Sequence, residues 1–524
     1  MTTSNTESEP DQLEQLARTY GIKYIPVVRE CVPVAEMLDK LPVEWAREHA
    51  VLPVHYEGVA SLLLSDPAAV EDQEYVSLLL GSELQPLLAP RKEIIAAIEH
   101  AYFRRDNSPA DFIDDLAEGN EAEIGADRDV SDLLQVASGA PVTQLMNLIL
   151  LDAYKQNASD IHVEPFERRL RVRYRIDGVL YEQSSPPYNM IQPLVSRLKV
   201  MAHMDIAERR LPQDGMARVR VGEREIDIRV STVPVSEGER VVLRLLDKNN
   251  VLLSLSDLGM EADAAEDFRG LLKHPNGIII VSGPTGSGKT TTLYAALGEI
   301  DSSRKNILTV EDPVEYQLDN IGQIQVKPKI GLTFSSGLRH ILRQDPDVIL
   351  VGETRDSETA EIAVRAALTG HLVFTTLHTN DAAGAVVRLI DMGIAPYLIA
   401  SSLRGVLGQR LVRRLCPDCR ILDNVAEPAG DVKKRIAGLL AGRQAWKAVG
   451  CNNCTDGYRG RVGIFEMLTI SAQTRELIRA SDFSLAQLRS VAVSDGFRSL
   501  VDDGVEKIAR GITTVDEVLG AAEI

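Results

Sequence analysis

Residues 283–290 constrain this chain more than any other stretch. Gly283, Pro284, Thr285, Gly286, Ser287, Gly288, Lys289 and Thr290 fit the phosphate-loop pattern G-x-x-x-x-G-K-[ST] at every position. The six residues before it, Gly277–Ser282, are mostly apolar and β-branched, which predicts a buried parallel strand. Residues 291–297 read as the start of a helix. Strand, glycine-rich turn and helix N-terminus in that order can lay backbone N–H groups against phosphate oxygens. Lys289 is placed to reach the β- and γ-phosphates of a nucleoside triphosphate, and Thr290 to offer its hydroxyl to Mg²⁺.

A phosphate loop of this kind belongs in an open α/β sheet, where ligands gather at the carboxyl ends of the strands. Residues 306–310 predict the next strand, which delivers Glu311 and Asp312 at its end, with Glu315 just beyond. These acids would lie near the metal and the γ-phosphate; a charged loop is the alternative. Residues 345–353 predict a third strand ending on Glu353, a carboxylate able to polarise an attacking water. The usual second nucleotide motif has Asp before that Glu, and this chain has Gly352. The Mg²⁺ contact of the missing Asp would pass to water or to Glu311. Residues 371–378 predict a fourth strand bracketed by His371 and His378. His378, at its carboxyl end, is placed to sense a γ-phosphate or else is a structural histidine.

Four of the five cysteines fall in two close pairs, Cys416/Cys419 and Cys451/Cys454. Two C-x₂-C pairs supply the four corners of a tetrahedron and leave no open position, so a structural Zn²⁺ is expected. The 31 residues between the pairs exceed the usual finger spacing and point to a compact insert, at about 412–460. Zinc there would supply on the order of 10 kcal/mol of folding free energy. A redox dithiol is the competing reading.

Upstream, residues 1–12 read as a polar tail, and residues 52–56 and 59–64 as a hairpin about Glu57-Gly58. Residues 86–90 suggest a third strand and residues 94–101 a helix. The expected divisions are a front domain at 1–107, an acidic linker at 108–139, an α+β domain at 140–250 and a motor domain at 258–524. Within 140–250, residues 142–154 have helical spacing, residues 158–165 read as an edge strand, and residues 170–176, 225–231 and 240–246 alternate as half-exposed strands. Their polar side carries many arginines. Most would be surface ion pairs, but a guanidinium also suits transition-state phosphate charge supplied from a neighbouring subunit. The tail from about residue 464 reads as mostly helical, with Leu485, Leu488 and Ala492 on one face.

The net charge of −19 is concentrated at the front. Residues 1–130 hold 26 acids and 10 bases, a net of −16. That balance argues against nucleic acid as a partner; it suits a basic protein surface or a plain solvated face. No apolar run reaches the roughly 18–20 residues needed to cross a bilayer. The first ten residues lack the features of a signal peptide, so a cytoplasmic protein is expected.

Together these motifs resemble the secretion-superfamily ATPases, most closely the type II secretion assembly ATPases. The likeness runs from about residue 140 onward and rests on 158–165, 200–215, 238–249, the phosphate loop, 309–316, 352–356 and 370–380. It implies a RecA-like P-loop motor domain, preceded by an α+β sheet domain and a small N-terminal α/β domain, with a tetracysteine zinc insert. It implies an ATP- and Mg²⁺-dependent homo-hexamer. In this resemblance 311–315 matches the aspartate box, 352–356 an atypical second nucleotide motif and 371–378 the histidine box. Arg210 and Arg224 become the candidates for arginines acting from a neighbouring subunit. The front domain would dock on the cytoplasmic domain of an inner-membrane secretion protein, and the ring on an inner-membrane platform protein. Type IV pilus extension motors share every catalytic motif, but residues 200–215 and 244–249 look more like the secretion form. A nucleic-acid motor is disfavoured by the acidic balance. A nucleotide-binding scaffold without turnover would not need Glu353.

Overall fold

Short apolar runs build the first of two sheets in the front half of the chain, and alternating apolar and polar residues build the second. The computed structural model describes residues 9–28, 31–38, 40–81, 84–103, 109, 141–167, 169–221, 224–247, 253–423, 431–480 and 483–522. The chain divides into two units, Met1–Asn249 and Asn250–Ile524.

The first sheet has five strands: β1 (Lys23–Tyr24), β2 (Val32–Pro33), β3 (Val51–Tyr56), β4 (Val59–Leu64) and β5 (Gln85–Leu88), in the order β1-β5-β4-β3-β2. The hairpin expected from sequence is β3–β4, paired from Val51 with Leu64 to Tyr56 with Val59. Its turn places Glu57 at φ 50° and Gly58 at φ 82°, the two left-handed residues of a type I′ turn. The expected third strand is β5, parallel to β4. The helix expected at 94–101 is the middle of Arg91–Phe103. The expected polar tail is helical from its ninth residue, in Glu9–Tyr20. Residues 1–8 and, apart from residue 109, the expected acidic linker lie outside the described residues.

The second sheet has six strands: β6 (Ala158–Pro165), β7 (Leu170–Ile176), β8 (Val179–Ser184), β9 (Gln213–Val221), β10 (Arg224–Val235) and β11 (Gly238–Asp247), in the order β8-β7-β6-β11-β10-β9. Here one expectation fails. β6 is an inner strand, antiparallel to β7 on one side and to β11 on the other. It is expected at an edge, yet its acids Asp160 and Glu164 are buried and paired across the ladder. Glu164 meets Arg171 at 2.9 Å, Arg173 at 2.7 Å and Arg240 at 2.7 Å. Asp160 meets Arg244 at 2.9 Å. An inner strand tolerates carboxylates when both neighbours supply guanidinium groups. The apolar side of the sheet packs under the helix Pro141–Lys155, to which Tyr174 is tied by a 2.9 Å hydrogen bond from its hydroxyl to the carbonyl of Ile149.

The second unit holds β12 (Gly277–Ser282), β13 (Ile307–Glu311), β14 (Gly322–Gln325), β15 (Val348–Val351), β16 (Leu372–Leu377) and β17 (Leu403–Leu415), then the small pair β18 (Ile421–Asp423) and β19 (Ala445–Lys447), and β20 (Tyr458–Thr469). The main sheet runs β14-β13-β15-β16-β12-β17-β20, parallel throughout except for β20. β12 and β16 are buried at every residue, as expected of strands covered on both faces. Residues 464–469 belong to β20, not to the helical tail expected there. The helix Leu485–Ser494 does bury Leu488 and Ala492. Among the described residues no helix is long and apolar enough to cross a membrane.

Candidate functional site

Sheet order decides which motifs can meet. The histidine strand β16 lies between the phosphate-loop strand β12 and the Glu353 strand β15. Ser282 pairs with Leu377, and Val351 with Thr375. Carried forward, that register ends the three strands almost level, so the phosphate loop, His378 and Glu353 leave the same edge of the sheet side by side.

Backbone geometry shapes the loop. Gly283 has φ 151°, and a Cβ there would lie 2.4 Å from the Gln409 carbonyl oxygen and 2.6 Å from Ser287 Oγ. Gly286 has φ 80° with open space around it, so its need is conformational alone. The helix Lys289–Gly298 starts directly after the loop. Ser287 Oγ is buried without a hydrogen-bond partner among the described residues, an orphan polar atom in a cradle of the kind that receives phosphate oxygens. The residues present therefore fit a phosphate chain, with half-buried Thr290 at the second helical position for magnesium.

Lys289 is 9% exposed and folds back on the loop, donating to the carbonyls of Gly283 at 2.9 Å and Pro284 at 2.8 Å. Burial pulls its ammonium down to about 8; the Glu353 carboxylate opposes that shift and the Arg410 guanidinium adds to it. Glu353 holds Arg355 at 2.7 Å with one oxygen and faces His378 Nε2 at 3.7 Å with the other. Burial, then the Lys289 charge, lowers the His378 pKa, leaving a neutral ring that offers one donor and one acceptor at neutral pH.

The structure explains the glycine that stands where an Asp was expected. A Cβ on Gly352 would sit 3.2 Å from the Val310 carbonyl oxygen and 3.3 Å from the Glu311 Cα. Backbone lies close on that side, so any side chain there would require Val310 and Glu311 to give by a few tenths of an ångström. Glu311 also departs from expectation. It is 3% exposed, with one oxygen bonded to the Tyr294 hydroxyl and the other to Thr309 and, at 3.2 Å, to Gln323 Nε2. With both oxygens taken by protein donors it braces the loop helix through Tyr294, and it is not presented to a metal in this structure.

Arg210 has an exposed side chain and chelates Glu208 through Nε at 3.2 Å and Nη2 at 2.9 Å. Those bonds pull the Glu208 carboxyl down to about 2. Arg224 begins β10, and its side chain lies outside the described residues. Sequence reasoning missed Arg355, although it sits two residues past Glu353. It also missed Gln409 and Arg410, which lie in a strand that carried no motif.

The four cysteines converge. Cys416 follows β17, Cys454 precedes β20, and these antiparallel strands pair as far as Leu415 with Tyr458. The two C-x₂-C pairs therefore face each other across the neck of the insert. All four Sγ atoms lie within 4.8 Å of one another. Three separations are 3.8, 3.7 and 3.6 Å. A tetrahedron with Zn–S bonds of about 2.3 Å has edges of about 3.8 Å, so the set fits zinc. Mass spectrometry of the native protein is expected to find one zinc per chain; a metal-free protein with disulfides would contradict this assignment.

Comparison with known proteins agrees with this geometry. The profile of the family described as Type II/IV secretion system protein matches residues 135–520, and that of the MshEN domain matches residues 20–108. The chain is 46% identical over 487 residues to the Type II secretion system ATPase E of Vibrio cholerae, covering 92% of this chain and 94% of that one. It is 42% identical over 515 residues to the Type IV pilus assembly ATPase PilB of Myxococcus xanthus, covering 96% and 90%. Among solved structures, the ATPase DotB of Legionella pneumophila shares the fold, with a TM-score of 0.54 at 20% identity over 77% of this chain and all of DotB.

Proposed function

This chain belongs to the Type II/IV secretion system protein family, and from that premise we propose that it hydrolyses ATP to drive pseudopilus assembly and protein export by a type II secretion system. The observation that carries the reading is the row formed by the phosphate loop that carries Lys289, by His378 and by Glu353 beyond the carboxyl ends of three adjacent parallel strands. In this reading Lys289 leaves the carbonyls of Gly283 and Pro284 for the β- and γ-phosphate oxygens. The loop N–H groups and the helix N-terminus hold the remaining phosphate charge. Magnesium held at Thr290 would neutralise charge between the β- and γ-phosphates. Glu353 orients the attacking water once its oxygen is released by Arg355, and the neutral His378 donates a hydrogen bond toward the γ-phosphate.

The chain works as a homo-hexamer in this proposal, with Arg210 and Arg224 as the arginines that reach a neighbouring subunit's nucleotide. Residues 20–108 dock on the cytoplasmic domain of an inner-membrane secretion protein, and the ring engages a membrane platform protein. That would hold a cytoplasmic motor at the inner membrane through its partners. The similarity to PilB sustains pilus extension as a second reading. Deleting the gene in its native host separates the two. Export substrates trapped in the periplasm with normal pili support secretion; lost pili with normal export would overturn it.

Lys289 adds a pH test. Its pKa of about 8 lies below that of an unfolded lysine, so the cost of burying its charge is fully present below pH 8 and is relieved as pH rises through that value. A phosphate beside it restores the ammonium. ATP binding at pH 8 is therefore expected to take up about half a proton, falling toward zero from this group at pH 6. Calorimetry in two buffers of different ionisation heat measures this, and no uptake at pH 8 would contradict the placement of Lys289.

A further inference from the structure

The residues after His378 are held by four different elements. Ser282 Oγ, at the end of β12, donates to the Thr379 carbonyl at 3.3 Å. Arg410 Nη2, on β17, donates to the Asn380 carbonyl at 3.0 Å. Asp381 caps the helix Ala382–Asp391 by accepting from Gly384 N–H at 2.6 Å, and its other oxygen binds Arg489 on the helix Leu485–Ser494. Glu466, on β20, accepts from Ala382 N–H at 2.6 Å.

Two of these anchors reach further. The second Glu466 oxygen accepts from Leu500 N–H at 3.4 Å, at the start of the helix Leu500–Ala509. Arg410 Nε donates to the Ala521 carbonyl at 3.4 Å, in the helix Val515–Ala522. Both residues are 5% exposed. Burial pushes the Glu466 carboxyl up to about 7, against the pull of the Ala382 N–H. Arg410 keeps its Nη1 buried and without a hydrogen-bond partner among the described residues. A packed apolar pair would satisfy this position at lower cost. A guanidinium with one unused nitrogen beneath a loop can follow that loop to a second set of acceptors.

We propose that Arg410 and Glu466 are positioning residues that set His378 through residues 379–382 and link it to the two helices Leu500–Ala509 and Val515–Ala522. The tail that showed no chemistry in the sequence then becomes the element that moves with the phosphate-facing histidine. This rests on the ATPase reading above, and it adds which residues transmit.

The test is a double-mutant cycle on the assembled full chain, with kcat and KM for ATP measured separately. Arg410→Gln is expected to lower kcat about tenfold with KM within about twofold, because its hydrogen bonds act through the His378 segment and its charge, the smallest of the named influences on Lys289, touches nucleotide binding weakly. In a His378→Ala background the same change is expected to cost under about twofold. Glu466→Gln, which keeps the shape but removes the charge, follows the same pattern. Losses that multiply in the double variant, a KM effect at unchanged kcat, or a full-rate His378→Ala enzyme would each overturn the proposal. Should Arg410→Gln not fold, Arg489→Ala breaks the exposed end of the same brace and enters the same cycle. A wild-type ring without turnover would remove the ATPase reading and this linkage together, whereas failed coupling in an active ring removes the linkage alone.

Discussion

Replacing Lys289 with alanine is expected to abolish ATP turnover and to leave the rest of the protein folded. The ammonium lies buried among the carbonyls of the loop, with the Glu353 carboxylate near enough to perturb it. Charge-assisted bonds to phosphate in such a site are worth several kcal/mol, so kcat/KM is expected to fall at least about a thousandfold. Stability moves the other way or stays level. Among the described residues Lys289 forms no ion pair, and burial holds it below its ordinary pKa, so removing it deletes a charge-burial cost that offsets the loss of its two hydrogen bonds to loop carbonyls. A melting temperature that is unchanged or slightly raised, with zinc content intact, separates this outcome from misfolding. Persistent hydrolysis would remove the loop from the mechanism.

Glu353→Gln is expected to split binding from chemistry. The amide keeps the size of the carboxylate and can still accept from Arg355, whose contact with Glu353 measures 2.7 Å. It cannot take up proton character from a water. ATP affinity should stay within about threefold while kcat drops by about 10²–10⁴. A secondary effect follows. Glu353 raises the Lys289 pKa, so its neutral replacement lets that pKa fall further. Proton uptake on ATP binding at pH 8 should then grow. Normal kcat in this variant would dismiss Glu353 as the water-orienting group.

Much of this was legible in the sequence because it is local. The phosphate loop, the alternation that makes β7 and the Glu57-Gly58 turn each depend on near neighbours. Sheet position does not. β6 read as an edge, yet it is an inner strand, and the arginines that neutralise its Asp160 and Glu164 come partly from β11, some eighty residues on in the chain (Arg240 and Arg244). Glu311 read as a metal contact because it ends a strand. Its partners Tyr294 and Gln323 lie on other elements, and only the fold shows that they close over it. Gly352 looked like a missing ligand until the backbone of Val310 and Glu311 was found close beside the place a side chain would take. Arg410 gave no signal, since its contacts with Asn380 and Ala521 join segments 30 and 111 residues away.

The central claim is a triphosphate site built on the loop at 283–290. Equilibrium binding of a non-hydrolysable ATP analogue to the purified, assembled full chain tests it most directly. Saturable, magnesium-dependent binding at roughly 1–100 μM is expected, and it should vanish in Lys289→Ala. Wild-type protein that stays unliganded at millimolar analogue with magnesium present would contradict it.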